Sequence, residues 1–124
     1  MKYSILFVDD DKNLIDGLRR SLHSKEDEWK ITYTLSAQEA LILCEKDHYD
    51  IIVSDFKMPG MDGLELFAKV KEKSPSSKRI LLTGQSEEET YERAKESVDL
   101  YISKPCSASD IIQTVEKMIQ GESK

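Results

Sequence analysis

Carboxylate, hydroxyl and ammonium side chains interrupt this 124-residue sequence at the points where four short apolar runs stop. They belong to Asp9, Asp10, Asp55, Thr83 and Lys104. Carboxylate oxygens are preferred ligands of small, hard cations such as Mg²⁺ or Mn²⁺, and a lysine adds a fixed positive charge. A metal ion and a lysine that flank one carboxylate would together stabilise a transferring phosphoryl group. In that arrangement Asp55 would act as the nucleophile and form an aspartyl phosphate.

Five apolar runs alternate with amphipathic stretches and indicate the elements that would position these side chains. The runs cover residues 3–8, 31–35, 51–53, 80–82 and 100–102. Capping-box patterns open two of the intervening helices, Ser36 with Glu39 and Ser86 with Glu89. Strands that alternate with helices across short loops predict an α/β fold, with a parallel sheet covered by helices on both faces.

The predicted sheet brings the acidic side chains together. Ligands bind beyond the carboxyl ends of the strands in an open parallel sheet, and those ends carry Asp9, Asp10 and Asp55. Like charges a few ångströms apart raise at least one pKa unless a cation lies between them. Taken singly, each motif has an ordinary explanation, since paired aspartates often cap helices and a lone aspartate is often a turn residue. Their joint occurrence at successive strand ends favours a functional site.

The composition indicates one soluble, packed domain over residues 1–124, with 39% hydrophobic and 34% charged residues. The net charge of −6 argues against direct binding of nucleic acid, which needs clustered Lys and Arg. No apolar run is long enough to span a membrane and no signal peptide is apparent, so we expect a cytoplasmic location. Cys44 and Cys106 fit no metal-ligand motif and are expected to be reduced thiols.

The loop at residues 55–63, DFKMPGMDG, resembles the segment that begins with the phosphorylated aspartate in receiver domains of two-component response regulators. Asp9-Asp10, Thr83-Gly84 and Lys104-Pro105 complete that family's motif in order, and the resemblance spans essentially the whole chain. It implies a CheY-like, flavodoxin-like (βα)5 fold with strand order 2-1-3-4-5. It also implies a place in a phosphorelay, with a phosphoryl group received from a sensor histidine kinase or His-phosphotransfer protein. No external substrate would be turned over.

The resemblance further implies how a Mg²⁺ or Mn²⁺ ion would be held. Asp10 and Asp55 would ligate it directly, the backbone carbonyl of Lys57 would supply a third ligand, and Asp9 would assist through water. Lys57 and Gln85 would also flank the path of attacking water and tune the lifetime of the phosphorylated state.

Thr83 and Lys104 would each bind one phosphoryl oxygen, according to the same resemblance, and the Lys104–Pro105 peptide bond would be cis. Thr83 and Tyr101 would form the switch that alters a surface made by the fourth helix, the fifth strand and the last helix. That surface would bind an effector or output domain, or a second copy in a phosphorylation-dependent dimer. Because the fourth helix offers few apolar residues, we expect it to be the most mobile helix.

The acidic motif is also compatible in part with two other functions, a phosphatase and a flavin-binding protein. A haloacid-dehalogenase-type phosphatase also uses an aspartyl phosphate with Mg²⁺ and would make Asp9 the nucleophile, but it needs a longer chain and a second late acidic pair. A flavodoxin-like binder of flavin mononucleotide would need a phosphate loop where Asp9 and Asp10 repel phosphate. The sequence favours the regulatory phosphoacceptor over both.

Overall fold

The computed structural model describes residues 3–84 and 97–122 of the chain. Its strands are β1 (Tyr3–Val8), β2 (Trp29–Thr34), β3 (Ile51–Asp55), β4 (Lys78–Thr83) and β5 (Leu100–Ser103). Its helices, numbered in chain order, are α1 (Lys12–Leu22), α2 (Ala37–Lys46), α3 (Gly63–Lys73) and α4 (Ala108–Glu122), with a 3-10 turn at His23–Lys25. The helix expected from Ser86 onward, and its expected mobility, fall outside the described residues.

All five strands pair in parallel, in the order β2-β1-β3-β4-β5. This confirms the α/β fold, the parallel sheet and the strand order. Every residue of β3 is buried, as expected for a central strand covered on both faces, whereas β2 and β5 form the two edges. No helix among the described residues has the length and apolar character needed to cross a bilayer.

Alternation along the strands sorts the buried side chains into two clusters, one on each face of the sheet. On one face, Ile5, Phe7 and Val53 pack with the inward sides of α1 and α4. On the other face, Leu6 and Ile52 pack with α2 and α3. Because both faces of the sheet are covered, consecutive residues of a strand can all be apolar. Polar groups are then left to the ends of the strands.

Helix ends in the structure agree only partly with the sequence patterns. Ser36 Oγ accepts a hydrogen bond from Glu39 N at 3.1 Å, so the predicted cap of α2 is confirmed. β2 begins at Trp29, as we expect for this tryptophan at the start of an edge strand, whereas the 3-10 turn was not apparent in the sequence pattern and Leu35 lies beyond the end of β2. A glycine near the end of a helical pattern predicts that the last helix ends at Gly121. That prediction is wrong, because α4 continues through Gly121 to Glu122.

Candidate functional site

The period of the strands determines which side chains meet at the carboxyl edge of the sheet. Asp9 lies two residues beyond Phe7, Asp55 two beyond Val53, and Lys104 two beyond Ile102. Phe7, Val53 and Ile102 all belong to the cluster facing α1 and α4. Because side chains alternate between faces, Asp9, Asp55 and Lys104 project from one side of the sheet.

Three carboxylates converge at this edge, as the sequence predicts. One oxygen from each of Asp9, Asp10 and Asp55 lies within 4.8 Å of the others. Asp9 and Asp55 are buried and Asp10 is exposed. The neighbouring Asp11 takes the ordinary role, since its side chain caps α1 by accepting a hydrogen bond from Asn13 N at 3.0 Å. Of the three consecutive aspartates, Asp11 caps α1, whereas Asp9 and Asp10 form a cluster with Asp55.

Burial makes the ionised form of Asp9 electrostatically unfavourable. Its Oδ1 accepts a hydrogen bond from Asp11 N at 2.9 Å, whereas its buried Oδ2 has no hydrogen-bond partner within the described chain. Burial raises the pKa of Asp9 to about 6, with a further increase from the charge of Asp55. A buried carboxylate oxygen without a donor is better satisfied by a cation than by the protein alone.

Lys104 is the positive group of the site. Its Nζ lies 2.9 Å from Asp55 Oδ1 and 3.7 Å from Asp9 Oδ2. Burial lowers its pKa, but the hydrogen bond to Asp55 and the charges of both aspartates outweigh this, so the net shift is upward. Burial likewise raises the pKa of Asp55, although Lys104 opposes that shift. The ammonium therefore remains charged beside the carboxylate, and the peptide bond from Lys104 to Pro105 is cis, as expected.

The donor set fits the predicted metal ion. Carboxylate oxygens are hard ligands that suit Mg²⁺ or Mn²⁺, and one lysine does not balance three acidic side chains. Among the described residues, Oδ2 of Asp9 is buried without a hydrogen-bond donor and lies 3.7 Å from Lys104 Nζ, which is the structural reason for a further cation here. Lys57, whose carbonyl is the other predicted ligand, is exposed in the loop after β3.

Backbone hydrogen bonds hold that loop to β4 at its beginning and to the residue after β3 at its end. Phe56 N donates to Leu82 O at 3.0 Å, and Gly63 N donates to Phe56 O at 2.8 Å. A Cβ at Gly63 would lie 2.5 Å from Asp55 O and 2.8 Å from Leu81 Cδ1. The first residue of α3 thus touches the backbone of Asp55, and a side chain there would displace it. We did not single out Gly63 from the sequence, although it ends the matched loop.

Thr83 and Tyr101 are on the opposite face of the sheet from Asp55. Tyr101 pairs with Leu81, and both pack into the cluster facing α2 and α3. Thr83 follows Leu81 by two residues and therefore points to the same face, fully buried at the end of β4. The predicted switch residues thus share a face, and Gln85 lies outside the described residues.

The chain matches the family model of the response regulator receiver domain over residues 5–116. It is 36% identical to the response regulator protein VraR of Staphylococcus epidermidis over 124 residues, which are 99% of this chain and 59% of VraR. It is also 36% identical to the uncharacterized transcriptional regulatory protein YesN of Bacillus subtilis, over 94% of this chain and 32% of YesN. The chain therefore spans less than two thirds of the length of these relatives.

Solved structures give the same result for the fold. A CheY-like response regulator receiver domain protein from Methanospirillum hungatei is similar to this chain with a TM-score of 0.88 and 26% sequence identity. The alignment covers 99% of this chain and 98% of the solved one. The arrangement of strands and helices around the acidic cluster is therefore a recurrent one.

Proposed function

Because the chain belongs to the family of response regulator receiver domains, we propose that Asp55 accepts a phosphoryl group from a phosphohistidine. The domain is a regulatory unit of two-component signal transduction, and the match to this family favours it over a haloacid-dehalogenase-type phosphatase. One observation carries the assignment of Asp55. It is the only residue of the acidic cluster that Lys104 Nζ approaches within hydrogen-bond distance, at 2.9 Å.

The proposed reaction is a transfer between two side chains. A carboxylate oxygen of Asp55 forms a bond to phosphorus, while the bond from phosphorus to the donor's imidazole nitrogen breaks and that nitrogen keeps the electron pair. Lys104 then moves its hydrogen bond from Asp55 to a phosphoryl oxygen, and Thr83 binds another. Receiver domains bind Mg²⁺ at an acidic pocket. Asp10, Asp55 and the Lys57 carbonyl, with Asp9 through water, would hold such an ion, which would supply positive charge where negative charge develops.

The residues of the chain prepare this transfer before the donor arrives. Burial and Lys104 hold the Asp55 carboxylate in one position, so little orientation entropy is lost in reaching the reactive geometry. The raised pKa of Lys104 keeps its charge in place over the working pH range. Lys57 and Gln85 remain the residues to which we assign the lifetime of the phosphorylated state.

Output would follow from movement of Thr83 toward the phosphoryl group. Because Thr83 and Tyr101 share a face of the sheet, space vacated by Thr83 becomes available to the tyrosine ring. The surface around β5 would then change its affinity for an output domain, an effector or a second copy. Receiver domains interact with histidine kinases and output domains. For this chain, both kinds of partner and a cytoplasmic location belong to the proposal.

The test is covalent labelling with acetyl phosphate and Mg²⁺, followed by intact-mass measurement. The wild-type chain should gain one phosphoryl group that is stable to acid and labile to base, and Asp55→Asn should gain none. Asp9→Asn should still be labelled, at a lower rate, because Asp9 contributes only through the metal. Asp27→Asn, an exposed residue in the loop before β2, is the matched control and should behave as wild type.

Two results would overturn the assignment. Loss of labelling in Asp9→Asn with full labelling in Asp55→Asn would make Asp9 the nucleophile and favour the phosphatase. A folded, metal-supplied wild-type chain that never gains the phosphoryl group, even from a phosphohistidine donor, would exclude a phosphoacceptor altogether.

A further inference from the structure

β5 leads directly into Lys104, yet only Tyr101 and Ile102 of this strand pack against the buried clusters, and both are only partly buried. The strand has only four residues, Leu100–Ser103, lies at the edge of the sheet, and contains no buried residue. Leu100 is 40% exposed although it is the first apolar residue of the strand. Register is strongly specified only where one face of a strand is buried, so β5 needs another constraint.

Such a constraint lies at the beginning of the strand. Asp99 N donates to Arg79 O at 2.8 Å, and Arg79 N donates back to Asp99 Oδ2 at 2.8 Å. The two residues thus form a reciprocal pair in which one bond uses the aspartate side chain. Both hydrogen bonds form only when Asp99 lies opposite Arg79, because a shift of β5 along β4 in either direction removes them.

The charge of Arg79 holds Asp99 in that place. The arginine side chain is only 7% exposed, and its Nε lies 3.8 Å from Asp99 Oδ2. Within the described part of the chain, its Nε and Nη1 have no hydrogen-bond partner. A buried guanidinium needs a counter-charge, and Asp99 provides it here. Moving Asp99 away would leave a buried charge unpaired as well as two backbone groups unsatisfied.

The other end of β5 shows what this constraint achieves. Ser103 pairs with Thr83, and Lys104 N donates to Thr83 O at 2.6 Å, which brings Lys104 Nζ to Asp55. A slip of one residue would move the lysine by about 3.3 Å along the strand and turn it to the other face of the sheet. The ion pair with Asp55, at 2.9 Å, would not survive that change.

We propose that Asp99 and Arg79 are positioning residues for phosphoryl transfer, which act by fixing the register of β5 and hence the place of Lys104 at Asp55. Asp99 precedes β5 and is five residues, or roughly 16 Å, from Lys104, and Arg79 lies opposite it near the beginning of β4. The proposal rests on the proposed function for its effect on transfer rate, whereas the register itself is independent of that function. Neither residue touches the reacting groups.

Amide hydrogen exchange measures the register without any assumption about chemistry. In Asp99→Ala, we expect the Lys104 amide to exchange about tenfold or more faster, while the Ile52 amide in β3 keeps its protection relative to global unfolding. Asp99→Asn retains an oxygen acceptor for Arg79 N and should restore most of the protection. Ala40→Gly is the control, because α2 packs against β1, β2 and α3. It should weaken the fold without a selective effect at Lys104.

The rate of labelling by acetyl phosphate is the second measurement. Asp99→Ala should slow labelling of Asp55 on the order of 10- to 100-fold, because Lys104 loses its fixed position. The Kd for Mg²⁺ should stay unchanged, since none of the proposed ligands belongs to β5. A merely structural defect would alter both quantities together. If wild type is not labelled at all, the proposed function fails while the exchange result still stands.

A double variant covers the case in which Asp99→Ala does not fold. Arg79→Met combined with Asp99→Ala removes the unpaired buried charge but still lacks the side-chain acceptor for the backbone N of residue 79. Selective loss of protection at Lys104 in this variant supports the proposal. Wild-type protection at Lys104 in the double variant, or in a folded Asp99→Ala, overturns it.

Discussion

At the scale of one residue, Asp9 shows how the proposed cation site would lower the stability of the folded chain when no cation is bound. Its pKa is raised from 3.8 to about 6, chiefly by burial, so ionisation at neutral pH disfavours the folded state. We predict that Asp9→Asn stabilises the metal-free protein at about pH 7.5 by on the order of 2 kcal/mol, or roughly 5–10 °C in Tm. Thermal unfolding in the presence of a chelator measures this.

The pH dependence of that difference identifies its cause. A carboxyl whose folded pKa is raised adds stability that is complete below the unfolded pKa and is lost as the pH rises through the folded one, here between 3.8 and about 6. The advantage of Asp9→Asn should therefore nearly vanish at about pH 4 and be fully developed above about pH 7. An advantage of equal size at both pH values would assign it to hydrogen bonding rather than to charge.

Gly63 is a second residue that affects the site, because its lack of a side chain lets α3 approach the backbone of Asp55. An added Cβ would meet Asp55 O at 2.5 Å and Asp55 C at 3.2 Å, so the clash is with backbone atoms rather than with the end of a flexible side chain. We predict that Gly63→Ala lowers the free energy of unfolding by about 1–3 kcal/mol and slows labelling of Asp55. Urea denaturation and acetyl phosphate labelling test the two effects.

Gly17→Ala is the matched control in α1. Its Cβ would have 4.0 Å to the nearest atom, Arg20 Nη2, and alanine is the better helix former. This variant should gain about 0.5–1 kcal/mol of stability and leave labelling unchanged. If both glycine variants behaved alike, the close approach at Gly63 would not be the reason for its effect.

Among the elements, α3 begins with a complete capping box. Asp62 Oδ1 accepts a hydrogen bond from Glu65 N at 2.8 Å, and Glu65 Oε1 accepts one from Asp62 N at 3.4 Å. Asp62 is the last residue before α3 in the loop that follows β3, so this capping box fixes both the helix and the end of that loop. We predict that Asp62→Ala costs about 1 kcal/mol of stability, measured by urea denaturation.

Asp62→Asn separates capping from charge in that experiment. Asparagine caps helices as well as aspartate does, so most of the stability should be retained. A loss as large as that of the alanine variant would show that the negative charge at the helix N-terminus matters more than the hydrogen bond.

The elements also show where sequence reasoning succeeds. Alternation of apolar runs predicts the strands, their parallel pairing and the meeting of Asp9, Asp10 and Asp55, because these depend on periodicity and on the common edge of a parallel sheet. Strand bounds are less accessible. β3 includes the polar Ser54 and Asp55, whose burial follows from neighbours that are distant in the sequence.

Contacts between distant residues explain the other differences. Arg79 and Asp99 are 20 positions apart, and no local sequence pattern predicts that they pair. Gly63 is required by the closeness of α3 to β3, which only the packed structure reveals. The roles implied by the family resemblance for Thr83, Tyr101 and Lys57 concern chemistry and movement, and they stay predictions until the labelled protein is studied.

At the scale of the whole molecule, the proposed metal site at the acidic edge would couple the stability of the chain to metal binding. A ligand that binds only the folded state stabilises it by about 2.7 kcal/mol when present at 100 times its Kd. We therefore predict that Mg²⁺ raises the Tm of the chain at about pH 7.5 and that removal by a chelator reverses the increase. Differential scanning calorimetry over a series of Mg²⁺ concentrations gives both the size of the effect and the Kd.

The sign of the pH effect follows from the ligands. Carboxylates bind the ion only when deprotonated, and Asp9, with a pKa of about 6, is largely protonated at about pH 5. The increase in Tm at one Mg²⁺ concentration should therefore be smaller at about pH 5 than at about pH 7.5. Asp55→Asn should remove most of the increase at both pH values, whereas Asp27→Asn should preserve it. An increase independent of pH and of Asp55 would place the ion elsewhere on the surface, and the acidic edge would then have to be stabilised by its lysine alone.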